Sequence, residues 1–270
     1  MTDAVKQEPD LERGLRLHLS QRPFAFAIWR QSELVALARR GAGQVDQTLD
    51  LGCGDGLFGE ALFRPGTAVG IDRDHREVRR ARARGVYRAV LQASVDGLPF
   101  RAGRFQLALA NCVMEHVVPL EPSLREVARV LAPGGRFLFT VPSERFSAML
   151  SGVRALEALG LHGLAGRYAK VVNGLLDHRH LLSPDTWRGL LATAGFGSVE
   201  VMPYAAAPVL RAFEAFGVLA APSIAVRRAT GRWAVLPKGP LHARLVGRLI
   251  GTETGAAGFE GAGLVIEARR

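Results

Sequence analysis

The chain reads as an α/β protein built on a doubly wound, mostly parallel sheet. Short apolar runs alternate with helix-length segments between residues 47 and 141. The first run ends in a glycine-spaced turn, Gly52-Cys53-Gly54-Asp55-Gly56, with Asp50 just ahead of it. The second run, Gly70-Ile71-Asp72, also ends in a carboxylate. In such sheets ligands bind beyond the carboxyl ends of the strands, and both acidic residues fall there.

Taken in order, residues 15–42 carry helix-forming and apolar residues and are expected to be helical. Phe24, Phe26, Ile28 and Trp29 crowd together ahead of Leu34, Val35 and Leu37. Strand 47–52 leads to a helix near 57–64, strand 67–71 to helix 74–84, and strand 87–92 to a loop through Leu98-Pro99-Phe100. Strand 105–110 precedes helix 120–131, stopped by Pro133-Gly134-Gly135, and strand 136–141 follows. Residues 143–182 interrupt the alternation with a Gly- and Leu-rich, weakly amphipathic stretch. Ser183-Pro184-Asp185 opens a helix to 194, serine capping and proline fitting the first turn. Strand 198–203 comes next, and Gly263-Leu264-Val265-Ile266-Glu267-Ala268 reads as a final strand. About 60 residues separate these two, too many for a plain loop.

The domain plan is therefore an N-terminal helical cap (1–44), a core (45–204), a helical, apolar and basic insertion (205–260) and a last core strand (261–270). Of the 270 residues, 48% are hydrophobic and 22% charged, which excludes a disordered chain. Two cysteines give neither a disulfide framework nor a four-ligand zinc site, and no metal is expected. Residues 1–12 lack an apolar run of secretory type, and a reducing cytoplasm is the plain expectation. The net charge of +10 suits a basic surface or an anionic partner. Arg73, Arg76, Arg79, Arg80, Arg82 and Arg84 crowd one helix and read as a solvated face. The insertion holds seven Arg or Lys against one acid between residues 205 and 250, with apolar stretches between them. Its longest uncharged run, Ala215–Val226, has twelve residues, short of the roughly 20 a span needs. A basic amphipathic segment of this kind suits peripheral contact with an anionic membrane or a lid over a greasy acceptor.

The glycine turn chooses the ligand class. A dinucleotide site places a third glycine where Leu57 stands, and Asp50 would repel a pyrophosphate. The same carboxylate suits a ligand with an ammonium group. The stretch Asp50-Leu51-Gly52-Cys53-Gly54, with Asp72 after it, resembles the first motifs of the class I S-adenosylmethionine-dependent methyltransferases. Ala93-Ser94-Val95-Asp96-Gly97-Leu98-Pro99-Phe100, Asn111-Cys112-Val113-Met114-Glu115-His116-Val117 and Leu124–Gly135 extend the likeness over about two thirds of the chain. The resemblance implies a Rossmann-like sheet of seven strands, the last antiparallel. It implies S-adenosyl-L-methionine as cofactor, with Asp50, Gly52, Cys53 and Gly54 at its methionyl part, Asp72 on the ribose and Arg73 at the adenine rim. It sets Ser94, Val95 and Asn111 against the cofactor too. Ser94 stands where the family carries an acid, and Gln106 replaces a second one. In this strand order Cys53 and Cys112 belong at the same edge of the cleft, both reduced.

Methyl transfer asks mainly for alignment of a nucleophile with the sulfonium methyl. His116, just past the fourth strand, is a candidate general base, and His178 and His180 are further candidates for the acceptor side. The leading expectation is methyl transfer to a small, apolar or lipid-like acceptor, at oxygen. An RNA methyltransferase and a non-catalytic S-adenosylmethionine-binding protein are the alternatives. Nucleic acid fits less well, since Asn111 lacks a Pro-Pro-aromatic continuation and Cys112 lacks a preceding proline.

Overall fold

The computed structural model describes residues 9–251 and 260–270. In chain order the elements are α1 (Leu11–Gln21), α2 (Phe24–Ala38), β1 (Thr48–Leu51), α3 (Leu57–Leu62), β2 (Ala68–Asp72), α4 (His75–Arg84), β3 (Ala89–Gln92) and β4 (Phe105–Asn111). A single 3-10 turn, Met114–His116, precedes α5 (Leu120–Val130), β5 (Leu131–Pro142), α6 (Phe146–Met149), α7 (Ser151–Ala158) and α8 (His162–Leu176). The chain closes with α9 (Pro184–Thr193), β6 (Ser198–Tyr204), α10 (Ala207–Thr230), α11 (Pro240–Gly251) and β7 (Gly263–Arg269).

Seven strands form one sheet in the order β3-β2-β1-β4-β5-β7-β6. β1, β2, β3, β4 and β5 pair in parallel, whereas β7 runs antiparallel to both β5 and β6. The alternation along each strand feeds two apolar layers, because successive side chains point to opposite faces. Leu107, Leu109 and Leu138 enter the layer under α1, α2 and α10, while Ala108, Ala110, Phe137 and Phe139 enter the layer under α5 and α9. Phe139 meets the fully buried Trp187 of α9 edge-on at 5.2 Å.

The helical stretch expected over 15–42 is divided into two helices, α1 and α2. Pro23 excludes helical geometry from the residue before it, and Arg22 is extended at φ −127°, ψ 150°. The Pro133-Gly134-Gly135 segment bulges out of the start of β5: Phe105 pairs with Leu131, but Leu107 pairs with Arg136. Residues 143–182 hold three helices, α6, α7 and α8. Ser183 caps α9 as expected, accepting from Thr186 N at 3.2 Å.

The insertion departs most from expectation. α10 is one continuous helix of 24 residues running through Pro222, whose most apolar 18-residue stretch has a mean hydropathy of 1.6, long and apolar enough by length and composition to cross a membrane. Proline removes one intrahelical bond, tolerable here because Val218, whose carbonyl loses its partner, is exposed to water. On its inner side Phe213 and Phe216 meet Phe26, Trp29 and Phe24 of α2, so α10 lies along the body of the protein. The insertion as read from sequence extends over 252–259, which lie outside the described residues.

Charge holds the final strand. Glu267 of β7 is buried and accepts from Arg40 Nη2 at 2.6 Å and Arg136 Nη1 at 3.3 Å. Burial pushes its carboxyl up, but the two guanidiniums outweigh this and hold it below its ordinary value.

Candidate active site

Parallel pairing puts Asp50 beside Gly70 and Ile71 beside Leu51, so β1 and β2 end together. The chain then turns through Gly52, Gly54 and Gly56, all with positive φ (65°, 54° and 78°). At Gly52 a Cβ would stand 2.6 Å from Val113 Cγ2, so the turn presses against the loop after β4. At Gly54 a Cβ would meet nothing within 4 Å, because this glycine faces open space. Asp72 braces the turn from the neighbouring strand: its Oδ2 accepts from Gly54 N at 2.9 Å and its Oδ1 from Asp74 N at 2.9 Å. Each oxygen keeps a lone pair for a ligand hydroxyl.

These residues line a cleft of about 760 Å³, within the range of ligand sites. Asp50, Gly52, Cys53, Gly54, Asp72, Arg73, Ser94, Val95 and Asn111, the positions set against a cofactor by sequence, all lie on its wall. So does His116. His178 and His180 are not among the lining residues. The His178 Nδ1–H donates to Asn173 Oδ1 at 3.0 Å, and the ring packs on Phe146. Burial, with the neighbouring His116, lowers its pKa to about 4. His180 Nε2–H donates to the carbonyl of Val117 at 2.9 Å. Both cysteines line the cleft as free thiols.

Asp50 is buried and accepts from the Tyr87 hydroxyl at 2.6 Å. Burial raises its pKa to about 7, the Tyr87 hydrogen bond opposing and the nearby Asp72 adding to the rise. A carboxyl so poised regains its charge when a cation is brought beside it.

Several cleft residues were invisible to sequence spacing. His18 and Arg22 of the cap reach the wall, with Phe26 and Arg30 from α2. His18 is buried, and its Nδ1–H donates to Gln31 Oε1 at 3.2 Å. Burial lowers its pKa to about 3, so the imidazole is neutral and Nε2, which has no partner among the described residues, is an acceptor. Arg22 pairs with Asp55 at 2.7 Å. Burial pushes Asp55 up, but Arg22 outweighs it and holds the carboxyl at about 2. The arginine-rich α4 is solvated only in part: Arg84 binds Asp55 O at 2.7 Å and Glu60 Oε2 at 2.6 Å, and Arg73, Arg76 and Arg80 reach the cleft.

Under the floor lies Glu33, fully buried, which accepts from Arg30 Nη1 at 2.7 Å, Asn111 Nδ2 at 3.0 Å, Cys112 Sγ at 2.7 Å and Tyr204 Oη at 3.3 Å. Burial and the Glu33 charge push the Cys112 thiol well above its ordinary pKa, which disqualifies it as a nucleophile. His116 follows. Its Nδ1–H donates to the carbonyl of Asp177 at 2.7 Å, so Nε2 carries the lone pair. Burial lowers its pKa, and the imidazole is neutral near pH 7.

The family described as "Methyltransferase domain" matches residues 49–139, from the first strand to the fifth. A ubiquinone biosynthesis O-methyltransferase from Caulobacter vibrioides is 31% identical over 182 residues, 63% of this chain and 68% of the relative. A malonyl-[acyl-carrier protein] O-methyltransferase from Geobacter sulfurreducens is 32% identical over 57% of this chain and 56% of its own. Among solved structures, a possible histamine N-methyltransferase from Thermotoga maritima shares the fold with a TM-score of 0.57 at 19% identity, covering 96% of this chain and 93% of that one.

The residues present fit S-adenosylmethionine. Gly54 leaves the approach open, Asp50 stands ready to face a cation, and the two oxygens of Asp72 are fixed by backbone donors. When bound, the cofactor supplies an electrophilic methyl on its sulfonium. The chain belongs to the class I S-adenosylmethionine-dependent methyltransferases and is an enzyme of that family.

Proposed function

We propose that the acceptor is a small apolar molecule and that the methyl goes to one of its oxygens, with His116 taking the hydroxyl proton. The observation that carries this reading is the acceptor wall of the cleft. Phe26, Val117, Leu175, Leu176, Ile224 and Trp233 line it, and His116 offers a neutral imidazole with its lone pair on Nε2. Burial that lowers the His116 pKa keeps the base unprotonated at neutral pH. His178 and His180 serve as positioning residues: Arg179 N and His180 N donate to the Glu115 carbonyl at 3.1 Å, fastening this segment to the loop that carries His116. The ubiquinone-biosynthesis and malonyl-[acyl-carrier protein] relatives, both named O-methyltransferases, support oxygen as the accepting atom. The two free thiols support a reducing, cytoplasmic setting.

The test is a tritiated-methyl assay against cell extract divided into lipid, small polar and nucleic-acid fractions. Label in an alkali-stable ether of an apolar product is expected. Substituting His116→Ala should lower kcat by about 10²–10⁴-fold with unchanged cofactor affinity. Label entering RNA, or turnover indifferent to His116, would contradict the reading.

A further inference from the structure

α10 and α11 each present a face that no described residue covers. On α10, Arg211, Val218, Leu219, Pro222 and Val226 recur at helical spacing on one side, and all are exposed. The buried Val209, Phe213, Ala220 and Ser223 occupy the opposite side, toward α2. On α11, Leu241, Arg244, Leu245 and Arg248 share one exposed face, while Val246 and Ile250 turn inward. Leu236, in the connection, is 80% exposed and Leu219 75%. Isolated exposed leucines are ordinary, but a contiguous aliphatic patch is not.

The charge on this face has one sign. Between residues 207 and 251 the only acid is Glu214. Its carboxylate is turned inward, accepting from Ser151 N at 2.6 Å, Gly152 N at 2.9 Å and Tyr168 Oη at 2.7 Å. Among the described residues, Arg211, Arg244 and Arg248 form no ion pair with a carboxylate. Their long stems cover apolar ground while the heads reach outward, the arrangement of an interfacial helix. Every large hydrophobic residue that stands exposed among the described residues is aliphatic. A single-stranded nucleic-acid platform needs aromatic rings for stacking, so the patch suits lipid rather than RNA.

The same segment closes over the cleft. Ile224, Arg227 and Trp233 line it, and Arg228 Nη2 donates to the Leu175 carbonyl of α8 at 3.4 Å. Leu164, Val171 and Leu175 extend the exposed apolar surface along α8 from that junction. We propose that α10 and α11 form a docking surface for an anionic lipid bilayer, lying in the plane of the headgroups with the mouth of the cleft beside it. This stands apart from which atom is methylated, and the enzyme would reach an acceptor dissolved in the membrane without releasing it to water.

Co-sedimentation of the full chain with vesicles of phosphatidylglycerol and phosphatidylcholine tests this, against pure phosphatidylcholine vesicles. Binding to the anionic vesicles at low salt is expected, weakened by added salt. Each arginine removed should weaken partitioning by about fivefold, so the pair Arg244→Gln and Arg248→Gln loses roughly 25-fold. A second variant, Val218→Ser with Leu219→Ser, should weaken vesicle binding without changing affinity for a labelled RNA oligonucleotide. Unchanged S-adenosylmethionine binding in both variants certifies the fold, since none of these residues lines the cleft. Absent sedimentation, sedimentation insensitive to either variant, or RNA displacing the protein from vesicles would overturn the proposal.

Discussion

The Tyr87 hydroxyl donates to Asp50 Oδ2 at 2.6 Å, joining the segment that leads into β3 to the carboxylate that faces the cofactor cleft. This bond opposes the burial of Asp50, whose pKa stands at about 7. The cofactor's cation requires the ionised form. Below pH 7 binding must first remove a proton from Asp50, while above it the proton is already gone. Affinity for S-adenosylmethionine should therefore fall by up to about tenfold per pH unit below 7 and level off above. Calorimetry across pH, in buffers of different ionisation enthalpy, would show a proton released on binding at pH 6 and none at pH 8. In Tyr87→Phe the pKa of Asp50 rises further, and the same transition moves to higher pH.

The two glycines at 52 and 54 should behave differently. Alanine at Gly52 meets Val113 and is strained at φ 65°, so Gly52→Ala should cost about 1–2 kcal/mol of stability and be visible in chemical denaturation. Alanine at Gly54 meets no atom of the protein, so its fold cost is the positive φ alone. Its methyl enters the space where the cofactor lies. Gly54→Ala should lose cofactor binding out of proportion to its loss of stability, measured by calorimetry beside denaturation.

Glu267 gives a pH dependence of the fold itself. Its pKa is held below the ordinary carboxylate value, so its contribution is complete above the unfolded pKa near 4.3 and disappears as pH falls through the lower folded value. Glu267→Gln leaves Arg40 and Arg136 without their shared carboxylate, at a cost of about 3 kcal/mol at pH 7. The gap between variant and wild type should narrow as pH falls below about 4.3. Urea denaturation at pH 7 and pH 3.5 measures it, and an equal gap at both would contradict the assignment.

Glu33 ties the cap to the loop after β4 through Asn111 and Cys112. Glu33→Ala leaves the buried end of Arg30 unpaired and should cost about 3–5 kcal/mol. Thiol-labelling kinetics report the same event: Cys112, tied to Glu33 in the wild type, should react faster in the variant.

Much of the fold was legible because it rests on local rules. Short apolar runs marked β1, β2 and β4, Ser183-Pro184 marked the start of α9, and the carboxylates at 50 and 72 marked the sheet end that binds the ligand. What was hidden depends on chain returning from far away. Tyr87 reaches Asp50 across 37 positions and Cys112 reaches Glu33 across 79, and no spacing announces either. The break at Arg22-Pro23 did have a signal, since proline restricts the residue before it, but the helical composition on both sides masked it. α10 was underestimated for a related reason: Pro222 reads as a breaker, yet in an exposed turn of a long helix its cost is met by water.

The most direct test is calorimetric titration of S-adenosylmethionine into the wild-type chain and into Asp72→Asn at pH 8. One equivalent should bind the wild type, and the variant, which keeps an oxygen to brace Gly54, should bind at least about tenfold more weakly because it loses a charged acceptor. No uptake by the wild type, or equal affinity in the folded variant, would contradict the placement of the cofactor between β1 and β2.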